Sequence, residues 1–114
     1  FARFIGRDHA GLGAQARLCT VIGDDADGAI FRSEATNLGI AQAGILSDRE
    51  RLTTRKTRIA ARHQQVIRLD RETVAPLSAA LEKRLRARIA SAVRAADAVI
   101  LSDYAKGVLT PAVW

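Results

Sequence analysis

The apolar residues of this chain change their period several times, and each change marks an element. Leu18-Cys19-Thr20-Val21-Ile22 is a short apolar run, and Ala16 to Ile22 reads as a buried strand. Gly23-Asp24-Asp25 follows as a turn. From Ala26 to Leu38 the residues Ile30, Ala35 and Leu38 fall at helical spacing, and Gly39 supplies a C-terminal stop. Ile40 to Leu46 reads as a second strand. Ahead of all this, residues up to Leu12 read as the end of a helix stopped by Gly13.

The middle of the chain has no helical stripe. Thr53-Thr54-Arg55-Lys56-Thr57-Arg58-Ile59-Ala60 is rich in threonine, and Gln65-Val66-Ile67-Arg68-Leu69-Asp70 alternates. Ala61 to Gln64 turns between them, which predicts an antiparallel hairpin over about 53–70. Period two puts Lys56 and Arg58 on one face of the first strand, and Arg68 and Asp70 on one face of the second. Alignment of those faces would give a cationic surface, with Ile59, Ile67 and Leu69 packing behind it.

Pro76 to Ala96 carries the longest helical pattern, through Leu77, Leu81, Leu85, Ile89, Ala92, Val93 and Ala96. Lys83, Arg84, Arg86, Arg88 and Arg94 lie largely off that stripe and read as a solvated face. Ala98-Val99-Ile100-Leu101 is continuously apolar, the pattern of a parallel strand covered on both sides. The loop Ser102-Asp103-Tyr104-Ala105-Lys106-Gly107 then lies beyond the carboxyl end of a strand, where α/β sheets bind ligands. The whole order predicts an α/β fold, a parallel sheet with helices plus a small antiparallel hairpin.

Composition sharpens this in three ways. Hydrophobic residues make up 48% of 114, enough for one packed domain. A single cysteine, Cys19, reads as a core residue and fits a reducing cytoplasm. No apolar run approaches about 18 residues, so no membrane span is expected, and no leader pattern is visible. The net charge of +6 is local: residues 49–72 hold eight basic and three acidic side chains. Such a patch attracts phosphate, nucleic acid or an acidic partner, or is simply a solvated face. Asp24 and Asp25 read as helix-capping carboxylates rather than a metal pair. His9 and His63 lack partners at metal-ligand spacing. Phe1 in place of methionine, and the helix start Thr110-Pro111 just before Trp114, give the expectation of an internal segment.

Three stretches carry a resemblance. They are Gly11-Leu12-Gly13-Ala14-Gln15-Ala16 leading to Val21-Ile22-Gly23-Asp24-Asp25, then Thr54-Arg55-Lys56-Thr57-Arg58 with Gln64-Gln65-Val66-Ile67-Arg68-Leu69-Asp70, and the 102–107 loop. In order and spacing they resemble the N-terminal half of ribokinase-like sugar kinases, in particular bacterial heptose-7-phosphate kinases. The resemblance runs from about Ala10 to the end. It implies that residues 1–114 form an incomplete ribokinase-like kinase domain whose hairpin is part of the sugar lid. The implied reaction passes the γ-phosphoryl group of ATP to heptose 7-phosphate, giving the 1,7-bisphosphate used in ADP-heptose and lipopolysaccharide core synthesis. The implied substrate contacts are Lys56, Arg58 and Arg68 to phosphate, Gln64 and Gln65 to hydroxyls, with Asp103 and Lys106 on the loop.

The departures bear on catalysis. Upstream of Gly11 the family has a Gly-Gly-Ala-x-Asn sugar motif, whereas this chain opens Phe1-Ala2-Arg3-Phe4-Ile5-Gly6-Arg7-Asp8-His9. The family's Gly-x-Gly-Asp element, with its catalytic aspartate, and its nucleotide pocket lie further downstream. ATP and Mg2+ are therefore expected in the complete enzyme and not on this segment, which carries no catalytic residue of its own. Alternatively, Lys56 and Arg68 are edge-strand charges and Asp103 a loop cap. The corresponding non-catalytic reading is a basic module that binds nucleic acid or pairs through its lid strands. An aromatic content of 4%, with no stacking platform, argues against nucleic acid. Pairing of lid strands into a homodimer is the expectation for partners.

Overall fold

The computed structural model describes residue 13 and residues 15–62 and 64–113. The expected helix before Gly13, the Phe1–His9 opening, His63 and Trp114 lie outside them. Two parallel strands, β1 (Thr20–Gly23) and β2 (Ile45–Asp48), are joined by helix α1 (Ala26–Asn37). Hairpin strands β3 (Arg55–Ala61) and β4 (Gln64–Arg71) follow, then helix α2 (Ala79–Val93). The fold is an α/β mixture, with a parallel pair between helices and a separate antiparallel ribbon.

The strand period divides the core in two. Val21 pairs with Leu46 across the parallel ladder, and both face Leu77, Leu81 and Leu85 of the α2 region. Ile22 and Ile45 lie on the other face with Ala35 of α1 and Ile40. A two-stranded sheet covered on both faces is the reason that Leu18 to Ile22 reads as continuously apolar. Leu85 is fully buried at 0% exposure and anchors the α2 side. Cys19 is partly buried against the same cluster, in the core position expected of it.

Each helix starts on an identifiable cap. The Asp25 side chain accepts from the Gly28 N–H at 2.8 Å, so of the Asp24-Asp25 pair it is Asp25 that caps α1, while the Asp24 side chain pairs with Arg49 at 3.3 Å. Gly39 stops that helix, its N–H bonded to the Thr36 carbonyl. Ser78 caps α2 by accepting from the Leu81 N–H, so the helix begins three residues later than Pro76 and ends at Val93.

Four expectations are corrected. The first strand shortens to Thr20–Gly23, leaving only an isolated bridge between Arg17 and Ala41. The second slides to Ile45–Asp48, because Ile40 bonds back to Ala35 and Gln42–Gly44 form a 3-10 turn. Ala98–Leu101 forms no strand, and Ile100 is 62% exposed. Apolar composition marks the segment as fit for a sheet, but a strand also needs a neighbour's backbone groups, and no ladder among the described residues reaches it. Thr110 likewise opens a turn over 111–113 rather than a described helix, with the Val113 N–H on its carbonyl.

Truncating Leu85 to alanine removes the best-buried side chain of the α2 contact. It is expected to lower stability by about 2–5 kcal/mol, whereas Arg88→Ala on the exposed face should shift the thermal midpoint little. Equal shifts for the two would refute the placement of α2.

Candidate functional site

The hairpin is rooted beside the carboxyl ends of the two parallel strands. The Asp24 N–H bonds to the Asp48 carbonyl at 2.9 Å, so the ends of β1 and β2 lie side by side. The chain leaving β2 is held there by Thr53, whose hydroxyl accepts from the Gly23 N–H at 2.9 Å. The Thr53 N–H in turn donates to Asp25 at 3.0 Å. A Cβ on Gly23 would lie 2.5 Å from the Arg51 carbonyl, so only glycine admits this crossing.

Arg51 fixes the other leg. It is only 6% exposed, and its guanidinium donates to three carbonyls: Thr73 at 3.1 Å, Ala75 at 2.5 Å and Lys106 at 2.9 Å. Burial pushes that guanidinium down from its ordinary range, with nearby Asp48 opposing the shift. The two feet of the hairpin, Arg55 and Arg71, both reach Asp27 in the first turn of α1, at 3.4 and 3.7 Å.

On this base the ribbon aligns as its period predicts. Lys56 stands opposite Asp70 and Arg58 opposite Arg68. Asp70 pairs with Arg68 at 2.9 Å and with Lys56 at 3.6 Å. Arg58 has no ion-pair partner among the described residues and faces a second arginine across the ladder. Like charges placed opposite one another weaken a ribbon, and here Asp70 offsets the charge of Arg68 but not that of Arg58.

The register shifts between Ile59 and Ala60, and this bulge re-phases the tip. Gln65 pairs with Ala60, on the face of Lys56 and Arg58, while Gln64 pairs with Ala61 on the opposite face. Of the two glutamines, only Gln65 therefore shares the cationic face. The apolar residues of the other face do not pack against a core: Ile59, Ile67 and Leu69 are 48%, 46% and 54% exposed. A two-stranded ribbon standing off the parallel sheet has nothing behind it among the described residues to bury them.

The loop residues are placed apart from that face. Asp103 accepts from the Ala105 N–H at 2.8 Å, the loop cap that was the alternative reading. Lys106 pairs with Glu72 at 2.5 Å, at the foot of β4. A shallow depression on α2, lined by Lys83, Arg86, Ala87 and Ala90, contains none of the predicted residues. Sequence reasoning missed Arg51, Thr53 and Asp27. Arg51 was counted only as one charge of the patch. Its partners are carbonyls 22, 24 and 55 positions away, which no local pattern announces.

No family model matches the chain. It is similar to proteins named Bifunctional protein HldE. That from Pelobacter propionicus is 45% identical over 102 residues, which is 90% of this chain and 21% of the relative. That from Citrifermentans bemidjiense is 42% identical over 104 residues, 91% and 21%. That from Helicobacter pylori is 49% identical over 98 residues, 86% and 21%. The chain thus spans about a fifth of the length of the relatives it matches, and it is homologous to one segment of them.

The hydrogen bonds from Thr53 and Gly28 hold the Asp25 carboxyl below its ordinary range. A carboxyl lowered by folding stabilises the fold above its unfolded value, and that contribution disappears as pH falls through the folded value. Asp25→Ala should cost about 1 kcal/mol near neutrality and flatten the acid side of the stability profile. Urea midpoints measured across the carboxylate range test this, and an unchanged acid limb would refute it.

Proposed function

We propose that this chain, as part of a longer protein like the HldE relatives, is the sugar-binding part of a carbohydrate kinase acting on heptose 7-phosphate. The observation that carries the reading is the opposed pair Arg58 and Arg68, with Lys56 beside them and one carboxylate, Asp70, shared between two of the three cations. A sugar phosphate that enters between the arginines relieves their repulsion and gains charge-assisted hydrogen bonds. Gln65 stands on the same face, where its amide can donate to and accept from hydroxyls. Gln64, at the tip, has room to do so only from the ribbon's other side.

The roles proposed for Asp103 and Lys106 are narrower. Asp103 spends one oxygen on the Ala105 N–H, which leaves the other for a sugar hydroxyl. Lys106 brings positive charge to the rim while bound to Glu72.

ATP and Mg2+, when bound to the complete enzyme, would supply and neutralise the transferred phosphoryl group. The residues of this chain would bind and orient the acceptor. Phosphoryl transfer depends on that positioning, so a lid of fixed cations contributes to rate as well as affinity. No helix among the described residues is long and apolar enough to cross a membrane. The location we propose is the cytoplasm, whose reducing conditions suit the free thiol of Cys19. The uncovered face of Ile59, Ile67 and Leu69 favours a homodimer in which two ribbons pack together.

In the full-length protein, Arg58→Ala, Lys56→Ala and Arg68→Ala should each raise the KM for heptose 7-phosphate by about tenfold or more, and the KM for ATP much less. Arg84→Ala and Arg88→Ala on α2 should leave both nearly unchanged. If the ribbon variants behave like the helix variants, the basic face is only solvated. The chain of 114 residues assayed alone should give no ATP-dependent phosphorylation of heptose 7-phosphate, because it carries no Gly-x-Gly-Asp element. Turnover by it would overturn that assignment.

A further inference from the structure

The return leg of the hairpin and the 102–107 loop are separated by more than 25 residues, yet three contacts bind them together. The Arg51 guanidinium bridges the Thr73 and Ala75 carbonyls on the leg to the Lys106 carbonyl on the loop. The Lys106 ammonium returns to Glu72, the residue after β4. Gly107, at φ +71, lies so close to the Ala75 carbonyl that a Cβ there would collide with it. Two of these contacts are polar and one is steric, so each supports the docking independently.

The polar set is also under-satisfied. The Nε of Arg51 and the second oxygen of Glu72 are buried with no hydrogen-bond partner among the described residues. Arginine's planar fork meets three carbonyls at once, which a lysine ammonium on a flexible stem cannot reproduce in the same geometry. Charge alone is therefore not what the position selects.

We infer that Arg51 is a positioning residue that clamps the hairpin's return leg to the 102–107 loop, so that the ribbon and the loop present their groups as one rigid rim. Arg51 touches no ligand in this scheme. Its effect reaches the substrate through β4, which carries Arg68 and Asp70, and through the loop, which carries Asp103 and Lys106. The effect on substrate rests on the sugar-phosphate reading above, while the clamp itself does not.

The test uses the full-length protein and two readouts. The first is hydrogen exchange at the backbone amides of 64–75 and 103–108. Arg51→Lys should speed exchange in both segments together by about tenfold or more, and leave α1 unchanged. Gly107→Ala, which leaves Arg51 in place, should do the same by forcing the loop off Ala75. The second readout is steady-state kinetics, in which Arg51→Lys should raise the KM for heptose 7-phosphate about tenfold with the KM for ATP unchanged. Faster exchange confined to one segment, or to neither, would overturn the clamp. So would faster exchange throughout α1, since Arg51 would then be a general fold residue. If Arg58→Ala fails to raise the sugar-phosphate KM, the substrate reading falls, and the exchange data still decide the clamp.

Discussion

The hairpin takes its position from the way the Arg51–Thr53 segment crosses the end of β1. That crossing is made by backbone and hydroxyl groups against Gly23, with no room for a side chain between them. The parallel pair alone would leave its carboxyl ends open to water. Thr53 covers one end and caps a free donor there, and Asp25 binds Thr53 while also capping α1. The start of α1 and the root of the hairpin consequently share the same carboxylate.

The character of the ribbon's surface is set by charge placement rather than by enclosure. Its two faces are chemically opposite: three cations with one carboxylate on one side, half-exposed aliphatic residues on the other. Neither face is satisfied by the rest of the chain. A cationic face without full counter-charge is open to anions, and an aliphatic face without cover is open to another apolar surface. The two demands are met on opposite sides, so one occupant does not exclude the other.

Local periodicity was legible, and long-range contact was not. The alternation of 56, 58, 68 and 70 announced the hairpin and which residues share a face of each strand, while the alignment of the two faces was left conditional and is supplied by the pairing of Lys56 with Asp70 and Arg58 with Arg68. The stripe Leu81, Leu85, Ile89 likewise announced α2. The run Ala98–Leu101 misled, since the residues that would pair with a strand are not encoded in the strand. Arg51 was invisible for a related reason. A buried arginine and a solvated one are spelled identically, and only distant carbonyls distinguish them. The bulge before Ala60 was also unreadable, because nothing in the Gln64-Gln65-Val66 stretch marks where alternation breaks.

That bulge decides which residue of the tip stands on the ribbon's cationic face. With unbroken alternation, Ala60 would stand opposite Val66, and Gln65 would turn to the aliphatic side. An insertion at the tip that let the strands slip by this one position would exchange an amide for an isopropyl group on the cationic rim. No residue near the arginines would have been substituted. The chemistry of this face can therefore drift through changes in loop length, and an alignment that tracks only residue identity would not register the event.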